Sequence, residues 1–281
     1  MRSRGLFTRT ALVLGLAFLY LPILSMIVFS FNNSRLVTVW DAANSPTLRW
    51  YGALFSSDQI VSAAWLSIRI AFLSATLAVV LGTLAGVALA RFGPFRGRTL
   101  LAGMTTAPLV MPEVITGLAL LLTFIALQQL IGWPETGALT ITVSHVTFCL
   151  AYVAVVVQSR LAGFDESLEE AAQDLGARPA TVFWRITLPL IVPAILSGWL
   201  LAFTLSWDDL VITQFVAGPG SSTLPMVIFS KVRLGVSPDV NALATLMVLV
   251  VAIGITVAAL WMRRQQRRRE RDEQLAAAGG T

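Results

Sequence analysis

Three carboxylates lie inside long apolar stretches of the sequence, where ionisable side chains are unusual. Glu113 follows two prolines, Pro108 and Pro112, and Asp208 and Asp209 are adjacent. An aspartate at membrane depth costs roughly 2.5–3.5 kcal/mol on insertion scales, so such residues suggest a pathway for ions or polar solutes. Pro112 would kink or break a helix and so free carbonyl oxygens beside Glu113. Carboxylates and free carbonyls together predict a lining that attracts cations.

Catalytic chemistry has few residues to use in this chain. The single histidine, His145, excludes an H-E-x-x-H zinc pair, and the single cysteine, Cys149, excludes an intrachain disulfide and a cysteine metal site. The single lysine, Lys231, follows no glycine-rich loop, so the chain has no P-loop for ATP. A serine–histidine–aspartate enzyme would depend on His145, and no G-x-S-x-G motif accompanies it. We therefore expect neither an enzyme nor a metal site.

The composition indicates a membrane protein. Of the 281 residues, 56% are hydrophobic and 12% are charged, whereas soluble domains carry about 25% charged residues. The apolar residues form blocks of about 20, the length of a helix that crosses a hydrocarbon core of roughly 30 Å. We expect an all-α polytopic protein with six transmembrane helices, at 11–31, 66–90, 101–128, 139–160, 190–213 and 241–262.

Basic residues are biased to one side of these expected helices. Fifteen of the 20 lie at the N-terminus, after the second helix, between the fourth and fifth helices, or in the C-terminal tail. The positive-inside rule places these segments and both termini in the cytoplasm. The expected organisation is an uncleaved signal-anchor helix with an external loop at 1–59, a membrane domain at 60–262 and a basic tail at 263–281. We interpret the tail as an anchor at anionic lipid rather than a nucleic-acid-binding segment.

The longest expected cytoplasmic segment, 161–190, has the pattern of two short helices. Its apolar residues follow the i, i+3, i+4, i+7 spacing of an amphipathic helix, at Leu168, Ala171, Ala172 and Leu175. Ser167 and Asp165 are rival N-caps, and Gly176 suits the position that ends the helix. Pro179 suits the first turn of a second short helix. We expect an elbow along the inner membrane surface, with its carboxylates facing the cytoplasm.

The elbow resembles the EAA loop of binding-protein-dependent ABC transporter permeases. The match comprises Glu170-Ala171-Ala172, then Gly176 after three residues, and Ile186-x-Leu188-Pro189 after nine more. In that family the elbow docks on a separate ATPase subunit, which carries ATP and magnesium, so the permease itself binds no cofactor. The resemblance implies the ABC type I importer permease fold. It also implies an ATPase-coupling role for Glu169, Glu170, Ala171, Ala172, Asp174, Gly176, Ile186, Leu188 and Pro189.

Further segments are similar to polyamine permeases along nearly the whole chain. They include ARFGPFRGR at 90–98, APLVMPEVITGLALLL at 107–122 and LPLIVPAILSGWLLAFTLSWDDLVI at 188–212. A GWP insertion at 132–134 is more similar to the putrescine type than to the spermidine-preferring type. The resemblance implies an importer in the bacterial inner membrane that carries a polyamine, putrescine above all, into the cytoplasm. The implied partners are a homologous second permease, two ATP-binding subunits and a periplasmic polyamine-binding protein.

We expect the three intramembrane acids, Glu113, Asp208 and Asp209, to line the substrate path of such a permease. The ammonium groups of an alkyl diamine can exchange water for carboxylates and carbonyls, and an aromatic wall suits the alkane spacer. The aromatic candidates near the acids are Tyr152, Trp199, Phe203, Trp207 and Phe215. Trp207 departs from the family, in which an aliphatic residue or methionine is expected. Each acid has an alternative role as a helix cap or an interhelix hydrogen-bond partner.

Other interpretations stay open at this point. His145 either has a salt-linked or proton-relay role, or is neutral and hydrogen-bonded between helices. The chain is alternatively an ABC permease for another small solute, or a secondary transporter or channel. The elbow argues against a secondary transporter, and no inverted repeat is visible. Gly82 and Gly86 have the spacing of small residues at helix contacts.

Overall fold

Helices dominate the protein. A computed structural model describes residues 2–36, 39–234, 238–253, 256 and 260, with side chains from residue 7 onwards. No strand occurs among those residues, so the all-α prediction is confirmed for them. The helices are α1 Arg2–Phe29, α2 Arg49–Phe55, α3 Asp58–Arg91, α4 Arg98–Val110, α5 Glu113–Ile131, α6 Ala138–Ala162, α7 Ser167–Asp174, α8 Pro179–Val182, α9 Leu188–Asp208, α10 Val211–Val216, α11 Leu224–Leu234 and α12 Pro238–Ile253.

Five of the described helices are long and apolar enough to cross a membrane. They are Phe7–Phe29, Asp58–Arg91, Glu113–Ile131, Ala138–Ala162 and the continuous Pro179–Asp208. The sixth expected span, 241–262, corresponds to the shorter apolar helix α12, and most of its last nine residues lie outside the described part of the chain. The basic tail at 263–281 also lies outside it. Six spans and cytoplasmic termini therefore stay predictions.

The third expected span, 101–128, is two helices rather than one. The chain leaves the helical conformation between α4 and α5, with ψ of 137° at Met111 and 136° at Pro112. A residue that precedes proline is disfavoured in the helical region, and proline itself has no N–H to donate. The break expected at Pro112 is thus confirmed, and Glu113 becomes the first residue of α5. The third expected span thus consists of two helices on either side of this break.

The helix that contains most of the fifth expected span, 190–213, begins and ends earlier than that span. The helix begins within the elbow and runs without interruption over Pro179–Asp208. It ends where Asp209 adopts an extended conformation, with ψ of 127°, and the separate short helix α10 follows. Thirty residues at 1.5 Å each make a rod of about 45 Å. The second arm of the elbow and the membrane helix are therefore one body.

A π-helical turn at Phe183–Thr187 lies within this rod. The N–H of Leu188 bonds to the carbonyl of Phe183, five residues back. Pro189 follows at once, and in a regular α-helix its ring would clash with the carbonyl of Arg185. The wider turn accommodates the proline while the helix continues, and π-helical turns are often found at functional sites.

The chain divides into two compact units, Met1–Asp58 with Ser230–Thr281, and Gln59–Phe229. In the first unit, the buried side chain of Asn32 organises the loop after α1. Its Nδ2 donates to the carbonyl of Val39 at 2.7 Å, and its Oδ1 accepts from the N–H of Asp41 at 2.9 Å. Asparagine side chains commonly stabilise loops by such bonds to the backbone.

The core of the second unit is built around α6. Its buried residue Val153 lies against glycines of two neighbouring helices, Gly82 of α3 and Gly198 of α9. A Cβ atom on Gly82 would come within 2.7 Å of the Val153 Cβ, and one on Gly86 within 3.0 Å of the Ala154 carbonyl oxygen. The small residues allow the two backbones to approach, so the predicted helix contact at Gly82 and Gly86 is confirmed.

Gly82→Ala is therefore expected to destabilise the protein by about 1–3 kcal/mol, because the added methyl group overpacks this contact. The midpoint of thermal unfolding in detergent should fall. Gly15→Ala in α1 is the matched control, since nothing lies within 4 Å of a Cβ at that position. An unchanged midpoint for Gly82→Ala would show that α3 and α6 lie further apart than described here.

Candidate functional site

The first arm of the elbow is α7, whose start is held by Asp165. The N–H of Ser167 donates to the Asp165 Oδ1 at 3.0 Å. Hydrogen bonds from the backbone and side chain of Ser167 lower the pKa of the Asp165 carboxyl below its usual value. Of the two rival caps, Asp165 is the one that accepts a bond at this end, and Ser167 is the first helical residue.

Gly176 ends α7 as the sequence predicts. Its φ is +86°, and the N–H of Ala177 bonds back to the carbonyl of Ala172 at 3.0 Å. The N–H of Gly176 itself bonds to the carbonyl of Gln173 at 2.8 Å. These two bonds form the Schellman motif, which favours glycine because residues with a Cβ rarely adopt a left-handed conformation. The turn aims the chain from α7 into α8.

The two leucines on the apolar face of α7 are exposed in the described part of the chain. No residue of the helix is buried, and Leu168 and Leu175 are 51% and 90% exposed. Exposed apolar residues rimmed by polar side chains mark protein interaction sites. The predicted coupling residues Glu170, Ala171, Asp174 and Gly176 are exposed on the same short segment. Sequence reasoning used Leu175 only as a marker of helical spacing and did not count it among the contact residues.

Glu169 differs from its exposed neighbours because its side chain turns inward. Its Oε2 lies 3.3 Å from the Nε of Arg91, the last residue of α3, and its Oε1 accepts a 2.7 Å bond from the Thr187 hydroxyl. Nearby, Ile186 and Leu188 are half-buried and Pro189 is exposed at the start of α9. The predicted coupling residues thus fall into an outward-facing set and an inward-facing set.

A second group of predicted residues lies at the far end of the rod. Trp199, Phe203 and Trp207 are spaced four apart on α9 and stack on one another, with ring centroids 5.3 Å and 6.1 Å apart. The Trp199 Nε1 donates to the Thr76 hydroxyl at 3.2 Å. Trp207 therefore ends an aromatic ladder fixed to α3. Tyr152 of α6 is half-buried against the hydrophobic core.

The two adjacent aspartates have different environments. Asp209 receives the backbone N–H groups of Ile212 at 3.3 Å and Thr213 at 2.8 Å, and the Thr213 hydroxyl at 2.7 Å. These bonds satisfy N–H groups in the first turn of α10, as an N-cap does. The Asp209 side chain is 6% exposed, whereas Asp208 is exposed and enters none of these contacts.

His145 joins α6 to this cap. Its Nε2 lies 3.2 Å from the Asp209 Oδ2 and 3.0 Å from the Thr213 Oγ1, and its Nδ1 lies 2.6 Å from the Ser206 Oγ. An ionised carboxylate only accepts hydrogen bonds, so Nε2 is the donor towards it. The histidine is 1% exposed and links three helical segments. The interhelix hydrogen bond and the contact with an aspartate, offered as alternatives for His145, both occur.

Glu113 lies at the exposed first position of α5. A carboxylate there is favoured by the helix dipole. One turn later, Gly117 packs closely on α10, where an added Cβ would come within 2.7 Å of the Phe215 Cδ2. The structure therefore joins the helix that begins at Glu113 to the helix capped by Asp209. Within the described ranges, no three His, Cys, Asp or Glu side chains are grouped as metal ligands.

Five apolar helices with an exposed elbow between two of them define a polytopic membrane protein. The family model described as "Binding-protein-dependent transport system inner membrane component" matches residues 78–271. This range includes the elbow, the aromatic ladder and all three acids. The chain belongs to this family, and the resemblance inferred from the sequence is confirmed.

Relatives with known assignments cover nearly the whole chain. It is 58% identical to the "Putrescine transport system permease protein PotI" of Escherichia coli (strain K12) over 95% of both chains. It is 42% identical to the "Spermidine/putrescine transport system permease protein PotC" of the same strain, over 88% of this chain and 90% of PotC.

Solved structures share the fold at low sequence identity. One chain of a bacterial ABC transporter involved in the import of the acidic polysaccharide alginate superposes with a TM-score of 0.72, at 17% identity, over 92% of this chain and 95% of that one. A chain of the MetNI methionine ABC transporter gives 0.58 at 18% identity, over 71% and 92%. The all-α fold of an ABC importer permease is thereby established for this chain.

Proposed function

We propose that this chain is the permease subunit of an ATP-driven importer that moves putrescine from the periplasm to the cytoplasm. The observation that carries the proposal is the 58% identity to PotI over 95% of both chains. The fold alone does not specify the cargo, because its structural neighbours serve a polysaccharide and an amino acid. The lower identity to PotC favours putrescine over spermidine as the principal substrate.

The exposed face of α7 is the proposed docking surface for the ATP-binding subunit. Leu168 and Leu175 offer apolar anchors, and Glu170 and Asp174 surround them with negative charge. An apolar centre with a polar rim is the usual arrangement of a protein interface. ATP and magnesium are held by two such partner subunits, and this chain binds no cofactor. A second, homologous permease completes the membrane part.

The continuous helix Pro179–Asp208 provides the mechanical link in this proposal. A shift of the elbow by the ATPase is passed along one rod of about 45 Å to Trp207 and Asp208. Such a motion would tilt the far end of the rod, so that the substrate path opens alternately to the periplasm and to the cytoplasm. Rigid elements of this kind carry coupling between distant sites when they have two discrete positions.

The proposed substrate path on this chain runs along Trp207, Asp208 and Glu113. Asp208 has an exposed carboxylate for one ammonium group, and the Trp207 indole has a face for cation–π contact. Glu113 begins a helix at the Pro112 break, and interrupted helices of this kind commonly line transporter binding sites. Asp209 contributes by capping α10 and holding His145 rather than by touching the substrate. Tyr152, half-buried against the hydrophobic core, is the further aromatic residue proposed for this path.

The proposed location is the bacterial inner membrane, with both termini in the cytoplasm. The support is the bias of basic residues towards the segments that contain the termini and the elbow. A periplasmic polyamine-binding protein delivers the cargo to the opposite face. We propose no nucleic-acid partner, since the basic tail follows the sixth expected span in sequence and suits anionic lipid.

Uptake of labelled putrescine into proteoliposomes that contain the complete transporter tests the proposed function. Uptake is expected to need ATP and the binding protein, to persist when the proton gradient is collapsed, and to be competed better by putrescine than by spermidine. A catalytically inactive ATPase should abolish it. Uptake that follows the proton gradient instead would indicate a secondary transporter. Failure of the binding protein to bind any amine would indicate another solute.

A further inference from the structure

Arg91 lies where three segments of the second unit meet. It is the last residue of α3, yet its side chain is only 13% exposed. Its Nη2 donates to the carbonyl of Leu161 in the last turn of α6 at 3.3 Å. Its Nη1 forms an ion pair with Glu166, and its Nε lies 3.3 Å from Glu169. One guanidinium therefore contacts α3, α6 and the elbow.

Glu169 extends this set of contacts to the rod. Its carboxylate is 14% exposed, and the oxygen that does not face Arg91 accepts the bond from Thr187 in the π-helical turn. Thr187 is 4% exposed. A charged group with so little contact with water is stabilised only when it is paired and hydrogen-bonded. The carboxylate is thus held from two sides by groups on different helices.

We propose that Arg91, Glu169 and Thr187 form a clasp that makes the elbow move as one body with the ends of α3 and α9. This inference rests on the proposed coupling role of the elbow and goes beyond it, because it assigns the transmission to residues that do not face the ATPase. The ATPase contacts Glu170 and Leu175, and the clasp transmits the resulting movement of α7 to α3 and α9. Without the clasp, α7 would shift on its Gly176 hinge while the membrane helices stayed behind.

Glu166 supplies a control built into the same site. It pairs with the same arginine, but its side chain is 63% exposed. Exposed ion pairs contribute little because water and salt screen them. Neutralising Glu166 and neutralising Glu169 remove the same charge from the same partner, so a difference between the two variants reports the buried contact alone.

The test measures the putrescine taken up per ATP hydrolysed by the complete transporter in proteoliposomes. Glu169→Gln is expected to lower this ratio roughly tenfold, because the little-exposed ion pair with Arg91 loses its negative charge, while the ATPase still co-purifies and hydrolyses ATP. Glu166→Gln should leave the ratio near that of the wild type. Arg91→Met combined with Glu169→Gln should be no worse than the more severe single variant, because contacts that act together are not additive.

The results that overturn the clasp are distinct from those that overturn the proposed function. A wild-type ratio in Glu169→Gln, or additive losses in the double variant, shows that the contact transmits nothing. If Glu169→Gln does not assemble, Thr187→Val removes the other contact of the carboxylate and keeps its charge. If Thr187→Val then takes up as much putrescine per ATP hydrolysed as the wild type, Glu169 has a role in folding only. Absence of ATP-driven uptake in the wild type is a failure of the proposed function instead.

Discussion

Asp208→Asn is expected to lower putrescine uptake about 10–100-fold in a transporter that assembles normally, because one charge-assisted contact with an ammonium group is lost. The reason lies in the different environments of the adjacent aspartates. Asp208 is exposed and free of the contacts that occupy Asp209. The Asp208 carboxylate is therefore the one of the two that is available to a cation. Uptake of radiolabelled putrescine at several concentrations separates a loss of affinity from a loss of maximal rate.

Asp209 provides the matched control for this prediction. Asp209→Asn keeps an oxygen that can accept the Thr213 N–H, so the protein should fold and retain more uptake than Asp208→Asn. Asp209→Ala removes the cap and leaves His145 with one partner fewer, which should cost about 1–3 kcal/mol of stability. Thermal unfolding in detergent measures that loss. Equal uptake defects in Asp208→Asn and Asp209→Asn would contradict the division of roles.

Glu113→Gln extends the same argument to the second helix of the path. The substitution preserves size and removes the charge at the exposed start of α5. We expect uptake to fall while assembly is unchanged. If Glu113→Gln and Asp208→Asn both retained full uptake with normal assembly, the acids would not line the path, and only their capping and dipole roles would stand.

Local rules explain which parts of the fold the sequence predicts well. The break at Pro112 follows from the missing N–H and from the restriction that proline places on Met111. The end of α7 at Gly176 follows from its left-handed conformation. Both features depend on a few neighbouring residues, so they are readable without knowledge of the tertiary structure. The spacing of the apolar residues in α7 is likewise a local feature that can be read from the sequence.

The end of α9 at Asp208 depends on more distant residues. Apolar sequence continues through 210–213, so hydropathy favours one helix across the aspartates. The helix stops because Asp209 caps α10 and binds His145, which lies 64 residues earlier. A local signal was present, since aspartate is favoured just before a helix, where its carboxylate accepts N–H groups of the first turn. The sequence does not show that this cap outweighs the apolar run, because the contact between Asp209 and His145 is seen only in the tertiary structure.

The inward turn of Glu169 shows the same limit in the elbow. Adjacent glutamates on an amphipathic helix look equivalent in sequence, and both were assigned to the ATPase-facing surface. Their directions differ because Arg91 and Thr187 lie on one side of α7 only. Arg91 gave no sign of this role, since an arginine at a cytoplasmic helix end is expected from the positive-inside rule alone.

Glu170→Lys is expected to abolish uptake, because it reverses the charge at the centre of the exposed elbow face. Its effect on α7 itself is small, since a cation in the first turn opposes the helix dipole by only about 0.3–1 kcal/mol. The loss should therefore appear as failure of the ATPase subunit to co-purify, with membrane insertion intact. Glu135→Lys makes the same charge change at another exposed residue and should leave ATPase association unchanged.

Gly176→Val is also expected to prevent ATPase association, but by changing the backbone conformation instead of the charge. Nothing lies within 4 Å of a Cβ at this position, so the substitution causes no clash, yet its φ of +86° is unfavourable for a β-branched residue. The strain of roughly 1–2 kcal/mol should reorient α7 relative to α8 and displace the docking face. Gly163→Ala is the control, because that glycine has a φ of −89° and only ordinary contacts at 3.9 Å. Normal ATPase association in both Glu170→Lys and Gly176→Val would show that the energy enters this subunit at another surface.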